Sequence, residues 1–176
     1  ASMGGLELFD ELFMFSGMQD RFDFRLVGRK EMYIPYNNYE LYFFCDPETQ
    51  LMDSHVNPDC ERWELHRVWE VEATLKEGNR HVYSKRTYYL DEDTYGAGLY
   101  DAWDQSGQLY RSIMLGGVQF YDHDIHYVVK HSIYDFNKGM YGLINDALNG
   151  GYQVLEEPRS ERELNPEAIV GRETVR

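Results

Sequence analysis

Residues 57–95, NPDCERWELHRVWEVEATLKEGNRHVYSKRTYYLDEDTY, constrain the fold more than any other stretch. Trp63, Leu65, Trp69, Val71, Ala73 and Leu75 take every second position, with Arg67 the one interruption. Glu64, His66, Val68, Glu70, Glu72 and Thr74 alternate with them. A period of two suits a strand with one buried face, because successive side chains point to opposite sides of a sheet. Lys76 to Arg80 supplies a reversal, with Gly78 and Asn79 both tolerant of positive φ. A return strand rich in Val, Tyr and Thr runs to Leu90 and stops at the acidic Asp91-Glu92-Asp93, read as a solvated turn. The expectation is a long antiparallel hairpin with Trp63, Leu65, Trp69, Val71, Ala73 and Leu75 facing the interior. With the turn centred on Gly78, Glu70 faces Arg86 as a cross-strand charge pair and His66 lies near Leu90.

The flanking segments extend the same pattern. GGLELFDELFMF, near the start, places Leu, Phe and Met on roughly helical spacing and predicts a short helix or ordered lead-in. Phe22 to Tyr36 alternates as a strand, with Gly28 at a bend and Pro35 ending the pairing. An irregular region follows to about Asp59. Gly96–Trp103 and Gln108–Leu115 form a second hairpin, whose turn Asp104-Gln105-Ser106-Gly107 suits a type I turn with a glycine bulge. Gly116-Gly117 breaks or bulges the strand, which VQFYD continues; Ile125–Phe136 is another, and Asn137-Lys138-Gly139 turns it into MYGLI. Strands do not alternate with long helices, so a meander of antiparallel strands is expected over residues 1–154. Residues 155–176 form a charged tail in which Asn165-Pro166-Glu167 starts a short helical turn that Gly171 ends.

Composition narrows the function classes. With 43% hydrophobic and 15% aromatic residues, the 176-residue chain can build one packed core. A net charge of −14 argues against nucleic acid and anionic membrane surfaces, which select basic patches. No apolar run reaches the roughly 18 residues that a spanning helix needs. The sequence opens at Ala1, as processing or truncation would leave it, so localisation is not read from a targeting segment.

Candidate chemistry is sparse. Asp122-His123-Asp124-x-His126 is the densest cluster of potential ligands; only a turn would let Asp122, His123 and His126 converge on a metal. A metal-dependent hydrolase at these residues is the lowest-ranked of three functional readings. No Gly-x-Ser-x-Gly, phosphate-cradling loop or His-Glu-x-x-His occurs. Cys45 and Cys60 bracket one polar loop, free as thiols in a reducing compartment and able to bridge in an oxidising one. No catalytic residue, metal or cofactor is expected.

The run ELHRVWEVEATLKEGNRHVYSKRTYYLDEDTY resembles a bacterial family of outer-membrane lipoprotein-sorting-like proteins, similar to the lipoprotein carrier LolA and receptor LolB. FSGMQDRFDFRLVGRKEMYIPYNNY, YDAWDQSGQLYR and NPEAIVGRETVR carry the same resemblance. Tyr95 departs from it, standing where members commonly have Trp, and the segment bearing both cysteines diverges. Members are longer and begin with a signal peptide, so this chain looks like their C-terminal half. The resemblance implies a mainly β fold, a strongly curved antiparallel half-barrel with a few short helices. It also implies a periplasmic or outer-membrane-associated module that handles a lipid or lipoprotein acyl chain, alongside envelope export machinery. It supplies no catalytic residues. On this reading the apolar face of Trp63, Leu65, Trp69, Val71, Ala73 and Leu75 holds the ligand. The alternative is a structural or interaction subunit of a cell-envelope complex.

Overall fold

The computed structural model describes residues 5–144 and 154–173. Seven strands follow one another in sequence and in space: β1 (Phe22–Pro35), β2 (Trp63–Leu75), β3 (Tyr83–Asp91), β4 (Ala97–Asp104), β5 (Leu109–Phe120), β6 (Ile125–Asp135) and β7 (Met140–Ile144). Each is antiparallel to the next, and among the described residues β1 does not pair with β7, so the curved sheet is not closed. Its curvature has local causes. Leu26 pairs with Val71 and Gly28 with Glu70, leaving Val27 as an extra residue in β1. A second irregularity falls between Leu115 and Gly117. Such bulges bend the strand and sharpen its twist.

The expected β2–β3 register is corrected. The connection runs from Lys76 to Val82, and Ala73, rather than Glu70, lies opposite Arg86. Because the slip is an odd number of positions, Arg86 moves to the buried side with Tyr88, while Glu70 stays outside and pairs with Lys30 at 2.9 Å. Trp69, rather than His66, faces Leu90.

Two pieces of chain cover the sheet. On its concave side lies the lead-in, residues 5–15, which includes the irregular turn Phe9–Met14. Leu6, Leu8, Met14 and Phe15 pack against Ala73, Tyr88, Tyr100, Ile113 and Ile133. The lead-in also carries charge inward. Glu11, fully buried, accepts from Arg111 Nη1 at 2.6 Å and the Tyr83 hydroxyl at 2.5 Å, and Arg111 Nη2 reaches Asp135 at 2.9 Å. Asp10 pairs with Arg86 and contacts His81 at 3.0 Å, and Glu7 lies 3.2 Å from His131. Burial works against ionisation of Asp10, yet its bonds to His81 and Arg86 prevail and hold it well below the usual aspartate value.

The second cover is the segment between β1 and β2, which carries the turn Glu40–Phe44 and α1 (Pro47–Gln50). Tyr42 donates its hydroxyl to Gly116 O at 2.6 Å, and Lys130 Nζ donates to Leu41 O at 2.8 Å. Leu41, Val56 and Cys60 form a small second core with Tyr141 and Leu143. Cys45 and Cys60 are joined as a disulfide with their Cα atoms 5.9 Å apart. The tail carries α2 (Glu161–Leu164), which the sequence reading missed, and α3 (Pro166–Glu173). Asn165 caps α3 through its side chain, as expected, but the helix continues through Gly171.

Candidate functional site: an apolar cleft beside the lead-in

Beside the lead-in lies an apolar cleft of about 410 Å³. Phe13, Met14 and Phe15 form one wall; Tyr88, Leu90, Leu115 and Val128 form the floor; Tyr95, Gly96 and His126 close the end. Sequence makes this possible through glycine. A Cβ on Gly117 would stand 2.6 Å from His126 Cε1, and one on Gly96 would stand 3.0 Å from its Nε2, so only glycines let that ring lie against the sheet. Burial holds the His126 pKa below the ordinary histidine value, with Asp91 pulling weakly the other way. His126 Nδ1 is buried without a hydrogen-bond partner among the described residues.

The cleft gathers backbone strain. Five non-glycine residues among those described have positive φ, and three of them, Phe13 (51°), Met14 (70°) and Tyr95 (54°), line it. Such conformations are disfavoured for side-chain-bearing residues and cluster at ligand clamps and switches. Phe13 and Tyr95 are also largely exposed at its mouth.

The six residues expected to form one apolar face are divided. Val71, Ala73 and Leu75 belong to the core beneath the lead-in. Trp69 is half-buried, with Arg29 stacked 4.9 Å from its ring. Trp63 and Leu65 lie on the outer surface, Leu65 at 55% exposure. None of the six borders the cleft. The buried side of β2 changes along its length: Ala73 is sealed at one end and Val68, of opposite parity, at the other. Its two halves have different covers, the lead-in over Ala73, and Tyr36 with Asp91 around His66. Strict alternation assumes a single cover and therefore fails here.

Two polar constellations behave differently from expectation. Asp122 and His123 sit together on an exposed turn, 3.4 Å apart, whereas His126 turns inward to the cleft. The three do not converge. Asp91 is not a solvated turn residue but almost fully buried, contacting His66 Nδ1 at 2.9 Å and accepting from Thr94 N at 3.0 Å and Thr94 Oγ1 at 2.8 Å. His66, Asp91 and Asp93 bring ligand atoms within 4.8 Å of one another, a spacing that suits a cation. With both Asp91 oxygens already engaged, the group reads first as a lock joining β2 to the β3–β4 turn.

The cleft's walls from the lead-in escaped the sequence reading, although a signal was there. Arg86 shares strand parity with Tyr88 and Leu90, and Arg111 with Ile113 and Leu115. An arginine on a core-facing position requires a buried acid, and Asp10 and Glu11 lie among the apolar residues of the lead-in.

Known proteins extend the picture. Uncharacterized protein PA3922 of Pseudomonas aeruginosa is 38% identical over an alignment of 175 residues that covers 94% of this chain and 38% of that protein. The chain thus spans well under half the length of this relative. Among solved structures, a putative outer membrane lipoprotein-sorting protein domain from Vibrio parahaemolyticus is similar at a TM-score of 0.49 and 13% identity, over 96% of this chain and 56% of that one. A DUF1329 family protein from Desulfovibrio piger gives a TM-score of 0.45 at 14% identity, over 78% and 49% of the two chains. A family model described as "Protein of unknown function (DUF1329)" matches residues 1–169, and the chain belongs to that family.

Proposed function

We propose that this chain is a non-enzymatic module that holds an apolar ligand, a lipid or lipoprotein acyl chain, in the periplasm or at the outer membrane. The observation that carries this reading is the cleft: apolar walls, a volume within the roughly 300–1,000 Å³ of small-molecule sites, and strained backbone on two sides. The Cys45–Cys60 disulfide supports an oxidising compartment. Among the described residues no helix is long and apolar enough to cross a membrane.

The test is titration of a fluorescent fatty-acid analogue against wild type and three variants. Leu90→Asp, in the cleft floor, should weaken saturable binding at least about tenfold, since a buried unpaired carboxylate opposes an apolar ligand. Glu72→Lys, on the outer face beside Arg25, should leave it intact. Trp69→Asp separates the cleft from the face of β2: loss there with retention in Leu90→Asp would return the site to Trp69 and its neighbours. An absence of saturable binding to folded wild type would favour the second reading, an interaction subunit of an envelope complex. The observation behind that alternative is the outer edge of β1, which pairs with no second strand among the described residues and along which Phe24, Leu26 and Tyr33 are exposed.

A further inference from the structure

A second cleft, of about 430 Å³, adjoins the end of the apolar one that His126 closes. His126 is a wall of both. A gap of about 10 Å³ between them shares Gly96, Leu115 and Val128 with the first cleft and Tyr36 and Thr94 with the second. The two are thus neighbours across one imidazole ring, and the chain from Asp93 to Gly96 is their common rim.

Their linings differ in kind. In the second cleft Asp93 and Asp124 stand with the rings of Tyr36, Phe120 and Tyr121, and no lysine or arginine borders it. Both carboxylates are exposed, and neither makes an ion pair among the described residues. The basic side chains nearby are already engaged. Arg62 pairs with Glu64 at 2.9 Å, Arg29 and Arg67 each hold Glu92 at 2.6 Å, and His123 lies 3.4 Å from Asp122. The rings, in turn, are held in place. Tyr36 lies against His66 and His126, with centroids 4.1 and 5.9 Å away, and its hydroxyl accepts from Gln119 Nε2 at 2.5 Å. Tyr121, 69% exposed, donates its hydroxyl to Asn37 Oδ1 at 2.7 Å, and Asn37 donates to Glu64 at 2.8 Å. An exposed ring tied down by its hydroxyl loses little freedom when a ligand packs on its face.

The faces of tyrosine rings are negative, as are the two carboxylates, so the complement of this cleft is a cation. An organic ammonium uses ring faces and carboxylates together. An alkyl chain attached to it would continue past His126 into the apolar cleft, against Leu90 and Leu115. We infer that the two clefts form one site for an amphiphile with an ammonium head, the nitrogen among Tyr36, Tyr121, Asp93 and Asp124 and the chain in the apolar cleft. The inference rests on the acyl-binding reading above and names its ligand class. A plain alkylamine and a phosphocholine or phosphoethanolamine lipid share the required chemistry.

The test is displacement of the fluorescent fatty-acid analogue by dodecyltrimethylammonium, dodecylphosphocholine and dodecanol, each below its micellar concentration. At least one of the two ammonium ligands should bind wild type about fivefold or more tightly than the alcohol. Their ranking separates the sources, since a lipid head brings its phosphate and a plain amine does not. Asp93→Asn combined with Asp124→Asn should bring both ammonium ligands within about twofold of dodecanol and leave dodecanol itself unchanged. Asparagine keeps the side-chain shape and tolerates the positive φ of Asp124 (52°), so the fold is retained. A chain of net charge −14 attracts any cation, so Asp20→Asn with Asp23→Asn is the control, removing the same charge at the opposite end of β1 from Tyr36. The preference should persist there. Ammonium ligands that bind no more tightly than the alcohol overturn the headgroup inference while the acyl site stands. So does a preference that survives the Asp93 and Asp124 substitutions, or that falls equally in the control. If none of the three displaces the probe from folded wild type, the acyl-binding reading fails and takes this inference with it.

Discussion

The carboxylate of Glu11 has no exposed surface and accepts from four donors: Leu8 N at 2.7 Å, Arg111 Nη1 at 2.6 Å, Tyr83 Oη at 2.5 Å and Tyr100 Oη at 3.4 Å. Desolvating an ionised carboxylate is costly, and only this density of partners makes the position tolerable. The same arithmetic makes its removal severe, because Arg111 would keep Asp135 as its one carboxylate, with Gly5 O at 3.3 Å, and two tyrosine hydroxyls would lose their acceptor. Glu11→Ala is expected to destabilise the fold by about 3–5 kcal/mol, measured by urea unfolding with the slope unchanged. A change below about 1 kcal/mol would mean that the lead-in contributes little to the stability of the sheet. By contrast, Arg25 and Glu72 are paired at 3.0 Å on the outer face with Arg25 well exposed, and such a pair is worth at most a few tenths of a kcal/mol to about 1.

At the level of elements, the segment between β1 and β2 offers its own test. Its disulfide closes a separation of 15 residues, and the small core it joins has Leu41, Val56 and Cys60 as its buried members. Reduction, or paired Cys45→Ser and Cys60→Ser substitution, should cost about 3 kcal/mol in the chain-entropy account. Thermal unfolding with and without reductant measures it, and an unchanged midpoint would show that the segment folds independently of its bridge. The sequence made β4, β5, β6 and β7 legible almost to the residue, because Gly107 and Gly139, both at positive φ, mark turns whose geometry needs them. The irregularities at Gly28 and at Gly116-Gly117 were legible because a glycine inside a strand pattern marks a bulge or a close approach. The β2–β3 register was not. Lys76 to Val82 is a longer connection than a tight turn, and no local rule counts its residues into a slip. The cleft was harder still, since one wall, Phe13 to Phe15, comes from the lead-in, and a strand pattern records which positions are buried without saying what covers them.

At the scale of the molecule, every hydrogen-bonded strand pair among the described residues joins neighbours in sequence, whereas the lead-in reaches its partners across 72, 100 and 124 residues at Tyr83, Arg111 and His131. Short loops close at smaller entropic cost than long ones, so the order of assembly follows from the topology. Hairpins zip first, and the lead-in docks once Arg111 and His131 are both in place. On the ribosome the delay is built in, because residues 5–15 emerge before β5 and β6 are made and wait for them. Pulse-labelled hydrogen exchange during refolding should show amides of β2 to β5 protected before Glu11 N and Ser16 N, which are bonded within the lead-in turn. Simultaneous protection of both sets would rule out this sequence of events. Until docking, a chain of net charge −14 displays Arg86 and Arg111 on an uncovered concave floor, so the duration of that interval, rather than the final stability, sets its exposure to wrong partners.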